Sequence, residues 1–363
     1  RKSGDKKSTK KWINKLLSVD PLHHFANLEA YYLNSSKYSW DAYNSLITNE
    51  YSDQTHLEIA ISYFNRGLNE EAIKLLERTS KNSPVNQAWL AYLNNDSSIL
   101  ESSELLSPKF VFPFRRETLE ILSWSILNSD DWKWRYYLAL NHWAKDSDEE
   151  AIKLMNDLKD IPNYGPFYAA RASLREKMKK NGISQDLERS ILLSNDSRII
   201  QLNAVKYFQS INQWKRALEL SSKLIEKFSD NFDVKIMHAK SLLYMNKLDE
   251  AVLFLDKANV LPSEMARESR QLYEWVHLAK AVELLKKKNI DLAKLSIEKS
   301  REWPINLGIG KPYNPDQSIQ NMLTKFLNKE LTNDELITKL KISKYNKSDY
   351  RSKLVNNIVK AVK

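Results

Sequence analysis

The chain of 363 residues has no cysteine, only 6 glycines and 10 prolines, and no long uncharged apolar run. The absence of cysteine excludes disulfide bonds, zinc sites with thiolate ligands and thiol catalysis. Few glycines and prolines argue against a fold of many short strands, because such a fold needs turn residues at close intervals. No run approaches the about eighteen apolar residues of a membrane-spanning helix, so no membrane span is predicted.

The excess of positive charge lies at the two ends of the sequence. The net charge is +10, of which residues 1–11 contribute +5 and residues 341–363 contribute +6, so residues 12–340 sum to −1. A nucleic-acid groove should be lined by basic residues from the body of the fold. We therefore expect no nucleic-acid partner. The composition leaves the cellular compartment open.

Four segments repeat one pattern of two amphipathic helices joined by a tight turn. The second-helix alanines Ala217 and Ala251 lie 34 residues apart, and Ala151 lies 66 residues before Ala217, close to two such periods. Small alanines let two helix axes approach closely, and acidic residues favour the start of a helix. The turns fall at residue types that tolerate left-handed backbone, namely Gly67, Asp146, Asn212 and Asn246.

This pattern resembles the tetratricopeptide repeat (TPR) in its small, aromatic and proline positions, with Pro84, Pro162 and Pro262 closing three of the units. The resemblance implies an all-α fold, a right-handed α-solenoid of stacked TPR-like helical hairpins. The sequence departs from the repeat early in the first helix, where a large aromatic is replaced by His56, Arg135, Gln201 and Lys235.

The remaining segments suggest degenerate units and a terminal cap. Residues 24–33 and 40–48 form one predicted helix pair, and residues 265–286 and 290–301 form another; residues 85–93 and 118–127 are further first helices. Residues 10–19 are typical of a second helix whose partner is missing, so the chain is expected either to be part of a longer protein or to begin with an unusual cap. Residues 332–335 form a capping box, and residues 349–362 form a final amphipathic helix. We predict a TPR-like superhelix over 1–300, starting mid-repeat, with a loop and C-terminal capping helices of the same superhelix over 301–363.

Three stretches go beyond what the repeat requires: residues 108–115, 162–171 and 303–312, the last being Trp-Pro-Ile-Asn-Leu-Gly-Ile-Gly-Lys-Pro. Residues 20–26 join them as a fourth stretch in a further resemblance. Together they are similar to the helical C-terminal half of large bacterial TPR-containing proteins. In those proteins a β-sandwich domain similar to galactose mutarotases precedes the repeats. The resemblance implies a carbohydrate connection only through that companion domain, and no part of this chain looks like the sandwich.

No motif predicts catalysis, a metal or a cofactor. Gly308-Ile309-Gly310-Lys311 is followed by Pro312, which removes a backbone donor that a phosphate loop needs, so we interpret it as a turn folding back across the last repeat. No two of the six histidines lie three or four residues apart, as a helical metal site would require. The clusters of acidic residues lie at the predicted starts of helices, and this position explains them without a catalytic role. We predict a protein without enzymatic activity.

The TPR resemblance places the second, fifth, ninth and twelfth positions of each unit on the concave face. These positions include Lys133, Tyr136 and Trp143 in one unit, Lys206 and Gln209 in a second, and Lys240 in a third. Lys206 and Lys240 are one period apart and should lie above each other. Such a face suits an extended acidic peptide or an anionic sugar. Aromatic stripes in helical stacks are more often core, which is the alternative for Trp143.

Two functions follow as hypotheses. The first is a non-catalytic TPR scaffold that binds a protein or peptide partner along its concave face, as the helical part of a larger bacterial protein. The alternative is a carbohydrate-related accessory module that adds aromatic surface to the sugar site of a mutarotase-like domain.

Overall fold

All regular secondary structure in the computed structural model is helical. The structure describes residues 1–2, 4–34, 36–48, 51–259, 266–342 and 350–362, and none of these residues is in a β-strand. By its internal contacts the chain divides into two units, residues 1–163 with 173–181, and residues 164–172 with 182–363. This division falls within one helix and differs from the predicted division near residue 300, which stays a prediction.

The first unit consists of consecutive helices that pack on their neighbours in sequence. Most of the loops between them are short, and the longest covers residues 104–117. They are α1 (Lys6–Val19), α2 (His24–Leu33), α3 (Trp40–Asn44), α4 (Ser52–Phe64), α5 (Asn69–Thr79), α6 (Pro84–Asn94), α7 (Ser98–Ser103), α8 (Thr118–Asn128), α9 (Trp132–Trp143) and α10 (Asp148–Asp157), with a 3-10 turn at Ser80–Asn82.

The second unit is a stack of helical hairpins around one continuous apolar core that runs from Ala172 to Val362. Its helices follow α11 (Gly165–Lys177), whose first half belongs to this unit and whose second half belongs to the other. They are α12 (Ile183–Leu193), α13 (Arg198–Ser210), α14 (Trp214–Lys227), α15 (Phe232–Tyr244), α16 (Leu248–Lys257), α17 (Ala266–Lys286), α18 (Ile290–Arg301), α19 (Ser318–Leu327), α20 (Asn333–Ile342) and α21 (Tyr350–Val362), with a 3-10 turn at Ile305–Leu307.

The four predicted hairpins are present as α4–α5, α9–α10, α13–α14 and α15–α16, and the helices of each pair contact one another. All four predicted turn residues have left-handed backbone: Gly67 has φ 68°, Asp146 58°, Asn212 60° and Asn246 58°. Every predicted helix-crossing alanine is fully buried, because only a methyl group fits where two helix axes approach. These are Ala60, Ala72, Ala139, Ala151, Ala217, Ala239 and Ala251.

The pair α11–α12 occupies the 66-residue interval between two recognised units. Arg171 and Asp186 join the two helices by a buried ion pair of 2.7 Å, and Ser190 donates a hydrogen bond to the Gly165 carbonyl. A side chain at Gly165 would lie 2.8 Å from the Ser190 carbonyl oxygen, so the crossing requires glycine. The sequence spacing indicated a unit here without showing its helices.

Helices along one face of the second unit are the first helices of successive hairpins: α13 contacts α15, and α15 contacts α17. The terminal helix α21 packs on α17, as predicted for a capping helix. The predicted capping box is formed, since the Thr332 backbone donates to a Glu335 carboxylate oxygen at 2.8 Å and the Glu335 backbone donates to the Thr332 hydroxyl at 3.3 Å.

Helix bounds differ from the predictions in a few places. The predicted helix over 40–48 ends at Asn44, because Ser45 begins a turn that leaves Ile47 buried. Helix α1 starts at Lys6 rather than residue 10, since the Asp5 side chain caps it. The predicted roles of Pro262, Met265 and Asp349 fall outside the described residues.

Candidate functional site

Two of the predicted partner-binding residues are buried in the first unit. Lys133 and Tyr136 are each 5% exposed. The Lys133 ammonium group pairs with Asp131 at 3.0 Å and donates to the backbone carbonyls of Glu104 and Leu106, so the segment before α8 covers it. Folding of that loop over α9 removes Lys133 from any accessible face, and Tyr136 is buried as well. We therefore remove both residues from the candidate surface.

Trp143 lies in a shallow apolar pocket rather than in the core. It is half-buried and lines a cavity of about 270 Å³ with Phe112, Phe114 and Leu140. The loop is fixed beside it because the Asn141 amide donates to the carbonyls of Pro113 and Arg115. Trp143 thus keeps an accessible face, its role as a binding or a packing residue stays a prediction, and the apolar lining carries no charge to attract an acidic partner.

The other three predicted residues, Lys206, Gln209 and Lys240, line one cavity of about 990 Å³ in the second unit. We call this cavity the α13–α21 groove, because α13, α15 and α17 form one wall and α21 forms the other. Lys206 is exposed and Lys240 is half-buried. Gln209 is 6% exposed, and its amide donates to the Met237 carbonyl and the Ser241 hydroxyl. Gln209 therefore joins α13 to α15, and it forms the floor of the groove.

Aromatic rings form the end of the groove. Trp214 and Tyr244 stack with ring centroids 3.7 Å apart, and Tyr350 of α21 meets Tyr244 edge-on at 5.0 Å. Trp214 is half-buried, so part of its surface remains open to the cavity. Stacked rings of this kind are rigid apolar anchors for a partner.

The charge of the groove is strongly positive. Lys206, Lys240, Lys353 and Lys360 line it together with one carboxylate, Glu268, which pairs with Lys240 at 3.3 Å. The Lys353 ammonium lies 5.1 Å from the Tyr244 ring centroid and donates to the Tyr244 carbonyl. Burial lowers the pKa of Lys353. Four cations facing one anion favour a negatively charged ligand.

Sequence reasoning missed the contribution of α21. Lys353, Asn356, Asn357 and Lys360 line the groove from this helix. The available signal was the excess charge of residues 341–363, which we interpreted as a property of the chain end. Only the packing of α21 on α17 shows that part of this charge faces Lys206 and Lys240.

Among the described residues no three histidine, aspartate or glutamate side chains are placed to hold a metal ion. None of the helices in the described ranges is both long enough and apolar enough to cross a membrane. Gly308 has φ 70° and follows the 3-10 turn, in a loop whose Leu307 carbonyl is bonded to Ser269 of α17. The Gly-Ile-Gly-Lys segment is thus part of a loop folded onto the last long hairpin, as interpreted from the sequence.

No protein-family profile matches the chain, and no curated protein is similar in sequence. Solved structures that resemble it include a tetratricopeptide repeat protein from Parabacteroides merdae, at 15% identity and TM-score 0.33, covering 76% of this chain and 98% of that one. Others are yeast Tom70, at 15% identity and TM-score 0.28 over 99% and 86%, and the human IFIT1 dimer with m7Gppp-AAAA, at 16% identity and TM-score 0.31 over 82% and 69%. At these values the alignments carry no argument about binding, and the assignment of TPR-type hairpins rests on the contacts described above.

Proposed function

We propose that this chain is a non-catalytic scaffold that binds an acidic, extended segment of a partner protein in the α13–α21 groove. The observation that carries the proposal is the convergence of four lysines and an open aromatic stack on one cavity of about 990 Å³. First helices of consecutive hairpins form the wall, so successive side chains of an extended peptide could meet successive repeats. The same proposal holds that this scaffold is the helical part of a larger bacterial protein.

The groove is suited to binding because its framework is held independently of any partner. Gln209 joins α13 to α15, and Lys240 with Glu268 joins α15 to α17. Tyr350 is 2% exposed and holds α21 against the aromatic stack. A framework fixed in advance reduces the ordering entropy that binding must overcome.

The charge of the groove favours an acidic peptide over a neutral sugar. A neutral sugar would use the rings but leave three of the four ammonium groups without a compensating anion. The comparisons give no support to the carbohydrate-associated alternative.

The test is the affinity of a fluorescein-labelled peptide of alternating Glu and Leu, measured by fluorescence anisotropy at low and high salt. We expect Lys206→Ala with Lys240→Ala to weaken binding at low salt by about tenfold or more, and the difference to shrink at high salt because screening weakens exposed charge interactions. The matched control is Lys215→Ala with Lys223→Ala, two lysines of α14 that do not line the groove. Equal loss in both double variants would reject the groove as the site, and so would binding of the peptide with Gln in place of Glu at equal affinity.

A further inference from the structure

A second cavity, of about 680 Å³, lies between α17, the loop 302–317 and the start of α21. One face of α17 supplies Arg267, Arg270 and Glu274, which are spaced three and four residues apart, and Trp275 beside them. We call it the α17-loop cavity. It uses Arg351 of α21, whereas the α13–α21 groove uses Tyr350 and Lys353, so the two cavities are separate sites.

The loop wall of this cavity is fixed at several points. The Asn306 amide donates to the Ala258 carbonyl at 2.7 Å, and the Ser269 hydroxyl donates to the Leu307 carbonyl at 3.0 Å. Arg301 donates to Gln317 at 2.9 Å, near the end of the loop. A loop that is held by its own Asn306 side chain and by side chains from α17 and α18 presents a preformed cavity.

The cavity has a buried cation whose charge is incompletely compensated. Arg270 is 4% exposed, lies 4.4 Å from the Trp303 ring centroid, and donates to the Ser300 carbonyl. Its carboxylate neighbour Glu274 is 3.4 Å away, which is long for a charge-assisted hydrogen bond. Burial lowers the pKa of Arg270 and raises the pKa of Glu274, so their attraction does not offset the loss of water around them. Among the described residues, the Arg270 Nε and Trp303 Nε1 atoms are buried without a hydrogen-bond partner.

The charges around the cavity sum to one excess cation. Its lining holds three guanidinium groups, Arg267, Arg270 and Arg351, against two carboxylates, Glu274 and Asp316. Arg351 pairs with Asp316 at 2.7 Å, which leaves Arg267 and Arg270 facing Glu274. A monoanion balances this charge, whereas a dianion such as phosphate would exceed it.

The uncharged part of the lining combines apolar side chains with the amides Gln271, Asn314 and Gln317. Trp275, Trp303, Ile309, Pro312 and Pro315 contribute to it, and the volume exceeds that of a single ring. We propose that the α17-loop cavity binds a small monocarboxylate carried on a flat ring, with Arg267 and Arg270 facing the carboxylate and the two indoles beside the ring. This proposal concerns a different site from the groove and does not depend on it.

The test is isothermal titration calorimetry of the full chain with indole-3-acetate and with benzoate, each compared with its neutral amide. We expect millimolar or tighter binding of at least one carboxylate and no measurable binding of the amides. Arg267→Ala should weaken carboxylate binding by about tenfold, the effect of losing one charge-assisted hydrogen bond. Arg267 is exposed, so Arg267→Ala should remain folded. Arg270 is buried, and Arg270→Gln could prevent folding, so it is not used as the test variant.

The matched control is Arg189→Ala, an exposed arginine of α12 that does not line the cavity, and it should bind as the unmodified chain does. The proposal is overturned if neither carboxylate binds at millimolar concentration, if the amides bind equally well, or if Arg267→Ala and Arg189→Ala behave alike. Loss of acidic-peptide binding in the groove lysine variants would leave this result unaffected, so failure of one proposal is distinguishable from failure of the other.

Discussion

Trp214, the first residue of α14, stacks on Tyr244, the last residue of α15, with the two rings 13° from parallel. This pair joins two hairpins at the point where Tyr350 of α21 also makes its ring contact. The aromatic end of the groove therefore depends on both the repeats and the terminal helix. Without α21 the stack would lose one neighbour and the groove one wall.

Replacement of Trp214 should separate apolar from electrostatic binding in the groove. We expect Trp214→Ala to weaken binding of the acidic peptide by about tenfold or more, which is in the range of aromatic hot spots. The affinity should fall by a similar factor at low and at high salt. Fluorescence anisotropy at both salt concentrations checks this, with a thermal melt to confirm folding. A loss that disappears at high salt would show that the ring acts only through nearby charges.

Overpacking a helix crossing should destabilise the second unit. Ala251 is fully buried between hairpin helices, so Ala251→Trp should lower the free energy of unfolding by about 1–3 kcal/mol or more. Leu253, two residues on and 59% exposed, is the matched position, and Leu253→Trp should change stability by under about 0.5 kcal/mol. Urea unfolding followed by circular dichroism measures both. Similar stability of the two variants would mean that Ala251 does not mark a close crossing.

Breaking the buried ion pair between α11 and α12 should lower the free energy of unfolding more than breaking an exposed ion pair nearby. Asp186→Asn removes a carboxylate charge 2.7 Å from the buried Arg171 guanidinium, and we expect a loss of about 3–5 kcal/mol. Glu188→Gln removes the half-exposed partner of Arg216, which should cost at most about 1 kcal/mol. Chemical denaturation of the two variants gives the comparison. An equal effect would contradict the burial of the Arg171 pair.

Mild acid should destabilise the fold through three buried histidines. Burial lowers the pKa of His56, His238 and His277 to about 4 each, below the ordinary value near 6.5. Between these values the unfolded chain binds more protons than the folded one, so stability is fully present above pH 6.5 and is lost as the pH falls towards 4. The slope is at most about 1.4 kcal/mol per pH unit for each histidine.

A substitution at His56 tests this assignment. The His56 side chain is buried, and its ring packs beside Trp40 and Tyr43. His56→Phe should keep that packing, leave stability at pH 7 unchanged or higher, and reduce its dependence on pH between 6.5 and 4. The test is to measure the free energy of unfolding of this variant across the same pH range. An unchanged dependence on pH would show that His56 does not contribute to the loss of stability in acid.

The hairpins could be predicted because their determinants are local. An alanine at a crossing and an asparagine or glycine at a turn are each dictated by backbone sterics, and Ala251 and Asn246 occupy those roles as predicted. Groove residues Lys206 and Lys240 could be predicted because both follow the repeat period.

The remaining features depend on contacts distant in sequence. Burial of Lys133 is determined by the loop that folds over it, 27–29 residues away, and nothing at Lys133 itself indicates this. Lys353 reaches the Tyr244 carbonyl across 109 residues, so its place in the groove follows from the packing of α21 and not from any local pattern.

The most direct measurement of the central claim is site-specific crosslinking in the groove, which the absence of cysteine makes possible. Asn357→Cys places a single thiol on the α21 wall, and Leu253→Cys places one on an exposed surface outside the groove. Each is mixed with a Glu-Leu peptide that ends in an activated disulfide. We predict rapid trapping at Asn357→Cys that excess unlabelled peptide blocks, and slow trapping at Leu253→Cys that it does not. Equal trapping rates at the two positions, or no competition at Asn357→Cys, would contradict the groove as the binding site.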